Sequence, residues 1–238
     1  MKQFVHSVIG AALVCATLAW APPARAERAV VELYTSQGCN SCPPADALLS
    51  ELARQPGILA LSFHVTYWDY LGWRDTFGNP ANTKRQRWYK KVLGAQVYTP
   101  QAVVNGTKQA VGNQRGAVEM AMEDAPPLTV PVSLVADGKG GLTAKLAGTG
   151  QPVSADVFVV RFDSTGTVAI ERGENRGRTM SYSNVVRDMK PLGRYSGKAV
   201  QFDLPQIAMW AQGSDRCAIL VQDMKSGRIL GAASTTLR

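Results

Sequence analysis

Two cysteines with two residues between them, Cys39-Asn40-Ser41-Cys42, stand between a strand-like run and a helix-like run. Before them, Ala29-Val30-Val31-Glu32-Leu33-Tyr34-Thr35 reads as a buried strand. After them, Ala45, Leu48, Leu49, Leu52 and Ala53 recur at helical spacing and mark one face of a helix. Pro43 and Pro44 suit its first turn, where N–H groups have no partner within the helix. Gln55-Pro56-Gly57 ends it. Both sulfurs then lie on one side of the helix's first turn, close enough to bridge.

The pattern continues. Ile58-Leu59-Ala60-Leu61-Ser62-Phe63-His64-Val65 reads as a second strand, parallel to the first because a helix joins them. An aromatic loop follows, Thr66-Tyr67-Trp68-Asp69-Tyr70-Leu71-Gly72-Trp73-Arg74-Asp75. Asn79-Pro80 pairs an N-cap with proline at the first helical position. That helix runs to Leu93, with Ala81, Trp88, Tyr89 and Val92 as its expected core stripe, and Gly94 closes it. Asn105-Gly106 between β-rich segments predicts a type I′ hairpin. A last helix covers roughly 115–123. Residues 27–125 thus read as an α/β unit of order β-α-β-α-β-β-α.

Asp124-Ala125-Pro126-Pro127 reads as a linker, and beyond it the helical period disappears. Strand-like runs lie near 130–135, 142–146, 157–162, 168–171, 200–204, 217–222 and 229–234. Turn signals separate them, among them Asp137-Gly138 and Asp163-Ser164-Thr165-Gly166. Residues 128–238 are therefore expected to form an all-β, sandwich-like domain.

Residues 1–26 read as a secretory signal peptide. Lys2 supplies positive charge, 8–20 is apolar, Pro22-Pro23 breaks the helix, and Ala24-Arg25-Ala26 fits a cleavage site. The apolar run is short for an uncleaved anchor, so no stable membrane insertion is expected after cleavage. Of two histidines and four cysteines, the mature chain keeps His64, Cys39, Cys42 and Cys217. His6 and Cys15 leave with the leader. Export, periplasmic or secreted, means an oxidising compartment where disulfides persist. Three cysteines leave either one spare thiol or a chemically active pair. At 45% hydrophobic and 18% charged residues the chain is globular rather than disordered. Its net charge of +8 contains no Lys/Arg block, which points to solubility rather than nucleic-acid binding.

A thiolate at a helix amino end is favoured by the peptide dipoles and free N–H groups there. The first cysteine, taken as the more exposed, is expected to attack; Cys42 would then resolve the mixed disulfide. Two other chemistries remain open. Cys39, Cys42, Cys217 and His64 are numerically a Cys3His set for zinc, and copper delivery is a weaker alternative because the Met residues form no tract. The pair could also be a passive structural disulfide in a binding module, although a two-residue gap constrains the unfolded chain little. The strand–CxxC–helix context favours redox chemistry.

The segments Val31-Glu32-Leu33-Tyr34-Thr35-Ser36-Gln37-Gly38-Cys39, 63–73 and Gly173-Glu174-Asn175-Arg176-Gly177-Arg178 together resemble the exported bacterial family DUF1223, within the thioredoxin-fold superfamily. The resemblance covers nearly the whole mature chain. It implies a thioredoxin-like domain followed by a β-rich one, and it implies no particular substrate. By likeness to thioredoxins, Cys39 is the nucleophile and Cys42 the resolving thiol. Thr99-Pro100 stands where those proteins carry a cis-proline that presents backbone to an extended substrate. Glu32 lies near the position of their buried acid and would deprotonate Cys42. Gly38 and Asn40-Ser41 depart from the thioredoxin pattern, so the direction of electron flow does not carry over. No cofactor beyond the Cys39–Cys42 pair is implied, and the partners would be protein thiols or a redox partner protein.

Weaker candidates surround these. His64 closes the second strand and, with Asp69 nearby, is either a proton relay or a hydrogen-bonded structural residue. Trp68, Tyr70 and Trp73 either wall a peptide site or cover the core. Cys217, in a strand-like run, reads as a buried free thiol. Glu174, Arg176, Arg178 and Arg187 read as an ion-paired network or an anion or partner site.

Overall fold

The computed structural model describes residues 27–136, 141–204 and 213–237. The expected signal peptide at 1–26 and the turn at Asp137-Gly138 lie outside the described residues. The strand β1 (Ala29–Thr35) leads through the two cysteines into α1 (Pro43–Leu52), and α1 returns to β2 (Ile58–His64), parallel to β1. A single 3-10 turn (Asp69–Leu71) precedes α2 (Pro80–Leu93). The hairpin β3 (Gln101–Val104) and β4 (Lys108–Val111) follows, then α3 (Arg115–Asp124). Asn105 and Gly106 both hold positive φ, 47° and 65°, as a type I′ turn requires.

Among the described residues, seven further strands follow: β5 (Val132–Ala136), β6 (Leu142–Leu146), β7 (Ala155–Ala169), β8 (Thr179–Tyr195), β9 (Val200–Leu204), β10 (Arg216–Gln222) and β11 (Ile229–Thr236). The fold is mixed α/β, with one large, mostly antiparallel sheet and one small one. The large sheet has eight strands in the order β11-β10-β7-β8-β2-β1-β3-β4, and the small one runs β5-β6-β9. The large sheet therefore crosses the linker: β2 meets β8 in parallel at Ser62 and Val185, and Asn184 donates from Nδ2 to Ala60 O.

Alternation along the strands sorts side chains onto two faces. Val30, Tyr34, Leu61 and Phe63 pack with Tyr89 of α2 and with Val160, Phe162 and Leu220 from the second half. Val31, Leu33 and Ala60 point the other way, against α1 and α3 through Ala45, Leu48, Leu49 and Val118. On that same side, the small sheet covers the far end of the large one, closing a core of Val132, Leu146, Val157, Val159, Cys217 and Ile219.

Three expectations are corrected. β8, 17 residues long, carries no clear strand signal in its sequence, and it is the strand that joins the two halves. Asp163-Ser164-Thr165-Gly166 is not a turn but part of β7, paired to β8 beyond a bulge at Arg161/Phe162. The buried face of α2 is Asn82, Thr83, Gln86 and Tyr89, and Ala81 is exposed. That face is polar because its neighbours are: Asn82 Nδ2 donates to His64 O, and Gln86 Nε2 donates to Tyr98 O and Gln101 Oε1.

Candidate active site

Cys39 and Cys42 are joined by a disulfide, with Cα atoms 5.4 Å apart. The turn between them closes as Cys42 N–H donates to Cys39 O, and Cys42 then caps α1. The free amides expected at this helix end are absent. Pro43 and Pro44 have none to give, and the N–H groups of Ala45 and Asp46 both donate to Cys42 O. What faces Cys39 Sγ instead is the Ser41 hydroxyl, 3.4 Å away. The aligned peptide dipoles of α1 remain as the second source of positive potential.

The exposure expected of Cys39 is also corrected: both cysteines are buried, Cys39 at 1% and Cys42 at 0% exposure. The cover comes from a remote segment. Asn175 donates from Nδ2 to Gln37 O and to Cys39 O, each at 2.9 Å, and Asn40 N–H donates to Glu174 Oε2 at 3.2 Å. On the other flank, Trp68 packs so closely on Gly38 that a Cβ there would sit 3.1 Å from Trp68 Cβ.

The Thr99-Pro100 bond is cis. A Cβ on Gly112 would meet both Pro100 Cβ and Ala45 Cβ, at 3.2 and 3.3 Å, so Pro100 and the first turn of α1 flank Gly112. Trp68 Nε1 donates to Thr99 Oγ1 at 2.7 Å, and the Trp68 ring stacks on exposed Tyr70. Trp73 is drawn beneath the disulfide loop, donating from Nε1 to Gln37 Oε1. Cys39, Cys42, Trp68, Trp73, Thr99 and Pro100 are thus brought together.

Glu32 is not among them. It is buried on the α2 face of β1, where Arg85 Nε and Nη2 donate to its two carboxylate oxygens at 2.6 and 2.8 Å. Tyr34 and Tyr89 hydroxyls donate to it as well. Residue 32 points away from the helix that carries Cys42, so it cannot serve that thiol as base.

The acid on the cysteine side is Asp46, buried and four residues after Cys42, hence one turn along the same helix face. Burial pushes its carboxyl up to about 7, while nearby His64 and the Thr35 hydroxyl pull the other way and Asp75 adds to the rise. Neither Asp46 oxygen has a well-formed hydrogen bond, and His64 Nε2 is likewise buried without a partner. His64 is held by Asp75, not Asp69: Nδ1 lies 2.9 Å from Asp75 Oδ2. Asp69 instead accepts Asp75 N–H. Burial works to raise the Asp75 carboxyl, but the His64 imidazole and the amides of Gln37 and Phe77 outweigh it and hold it below the usual range. Tyr182 closes this cluster with its ring edge-on to His64.

Sequence reasoning passed over Asp46, although a carboxylate within the Ala45–Leu48–Leu49 stripe was a signal in plain view. It could not place Asn175, whose partners are 136 and 138 residues away. The expected charge network does not form. Glu174 takes the Asn40 amide, Arg178 donates to Asn175 Oδ1, and Arg187 pairs with Asp163. Cys217 sits in the core between the two sheets, where burial pushes its thiol up to about 12. The Cys3His set is therefore dispersed, and no group of three or more His, Cys, Asp or Glu suited to a metal occurs among the described residues. No described helix is long and apolar enough to cross a membrane.

Comparison with known proteins places residues 30–222 within a family described as protein of unknown function, DUF1223. A solved crystal structure of a protein from Agrobacterium tumefaciens, a structural-genomics target, is similar at 35% identity and a TM-score of 0.76. The match covers 90% of this chain and 95% of that one. The comparison with curated proteins finds no match.

Proposed function

Since the chain belongs to the DUF1223 family, whose description assigns no activity, we propose on the site's own geometry that it is an exported, thioredoxin-like thiol–disulfide oxidoreductase, exchanging disulfides with protein thiols through Cys39 and Cys42. The observation that carries this reading is the Cys39–Cys42 disulfide ahead of α1, with cis-Pro100 and Ala45 of α1's first turn flanking Gly112. The leader-like composition of residues 1–26 supports a periplasmic or secreted location.

The exchange balances in two steps. A substrate thiolate attacks Sγ of Cys39, forming a mixed disulfide and releasing Cys42 as a thiolate, which takes up a proton. The substrate's second thiolate attacks the first substrate sulfur in that mixed disulfide, forming the substrate disulfide and releasing Cys39 as a thiolate. The substrate dithiol has lost two electrons and the Cys39–Cys42 pair has gained them; the reverse sequence reduces a substrate disulfide. Ser41 and the α1 dipoles favour the Cys39 thiolate, and Asp46 is the group in place to exchange a proton with Cys42. Trp68, Tyr70 and the Thr99-Pro100 edge would hold the substrate chain.

A passive disulfide in a binding module is the second reading, and the burial of both sulfurs favours it. An exchange assay decides. Oxidised wild type incubated with a reduced, unfolded protein, and reduced wild type incubated with insulin, should transfer a disulfide in one direction or both. Cys39→Ser should transfer none. Equal behaviour of the two proteins in both assays would leave only the passive disulfide.

A further inference from the structure

We propose that residues 173–178, the tip of the β7–β8 hairpin, form an internal cap over Cys39 that occupies the place of a substrate backbone, so that an extended polypeptide displaces it where a small thiol cannot. The gating half of this stands on geometry alone; the substrate half rests on the exchange reading above.

The tip reaches the disulfide loop from the second half of the chain. It holds its own shape: Arg176 N–H donates to Gly173 O, Arg178 N–H to Asn175 O, and Gly177 N–H to Ile170 O. Gly173 and Gly177 carry φ of +78° and +81°, the left-handed region that glycine enters without strain. Arg178 Nη1 donates to Asn175 Oδ1. That contact fixes the carboxamide with its nitrogen turned to the carbonyls of Gln37 and Cys39. Glu174 accepts the Asn40 amide. The cap thus gives N–H donors to two carbonyls and an acceptor to one N–H, on either side of Cys39. A peptide backbone offers that same alternation of donors and acceptors, whereas a small thiol does not.

The cap is also built to leave. Asn175 is its only buried residue; Glu171, Arg172, Glu174, Arg176, Gly177 and Arg178 are exposed. Among the described residues, Gly173 approaches Trp73 and Leu71, and three hydrogen bonds hold the cap to the disulfide loop. Opening requires no unpacking of the sheet, and the freed carbonyls and amide meet water or an incoming chain.

The test is the rate at which the oxidised full chain loses its disulfide to a phosphine reductant, followed by counting thiols. Asn175→Ala should react about tenfold faster than wild type, since two net hydrogen bonds no longer favour closure. Glu174→Ala alters an exposed side chain whose loss leaves the fold intact, and should react about threefold faster. Wild-type rates for both variants overturn the cap. A second measurement compares a cysteine-containing decapeptide with 2-mercaptoethanol as the attacking thiol on wild type. The peptide should be faster, and its advantage should shrink in Asn175→Ala; equal rates overturn the substrate half. If the variants open faster while wild type exchanges no disulfide with any protein, the cap stands and the oxidoreductase reading falls.

Discussion

Asp46 stands where Glu32 was expected to act, and the difference is one of faces. Alternation along β1 turns Glu32 to α2, whereas Asp46, buried on α1 one turn after Cys42, faces His64 and Thr35. Removed from water, the carboxyl holds its proton more tightly in the folded chain than in the unfolded one. Its contribution to stability is therefore full below the ordinary value of 3.8 and is lost as pH rises to about 7. Asp46→Asn removes that titration. Relative to wild type the variant should gain stability between those two pH values and keep the gain above them. At about 1.4 kcal/mol per pH unit, the ceiling is about 4 kcal/mol. Thermal melts of both proteins across pH check this; a difference that does not change with pH contradicts it.

Among elements, β1 and α2 carry the prediction that separates stability from chemistry. Glu32 and Arg85 are a buried pair, tied further to Gln222 of β10 through Arg85 Nη2. Glu32→Ala leaves a buried guanidinium unpaired and should cost about 3–5 kcal/mol in urea unfolding. Below the transition its disulfide exchange should match wild type; a selective loss of exchange in a stable variant would restore Glu32 as the base. Elements with a strong period were legible: the strand–CxxC–helix order, the Asn79-Pro80 start of α2 and the Asn105-Gly106 turn follow from local chemistry. β8 was not. Its Ser, Asn, Arg, Lys, Pro and Gly residues are held in a strand by the ladder with β7, a tertiary cause with no local trace. The polar face of α2 was misjudged for a similar reason, since Asn82, Thr83 and Gln86 are buried by partners from distant strands and loops.

Across the whole molecule the two halves share one sheet and one site. The Asn105-Gly106 turn abuts Gly227 so tightly that a Cβ on Gly106 would lie 1.9 Å from Gly227 O. Asn175, from the β-rich half, closes the disulfide loop of the other. The sequence shows the cysteines, the aromatic loop and Thr99-Pro100 as separate stretches, but it cannot show that a remote hairpin covers Cys39. The disulfide is enclosed at rest, and exchange requires that it still open to thiols in equilibrium. The direct measurement is a redox titration of Cys39–Cys42 in the full chain against defined thiol–disulfide buffers, read as the fraction of free thiol. An exchanging pair should titrate reversibly between about −270 and −120 mV. A midpoint more negative than about −300 mV, the range of inert structural disulfides, would contradict it.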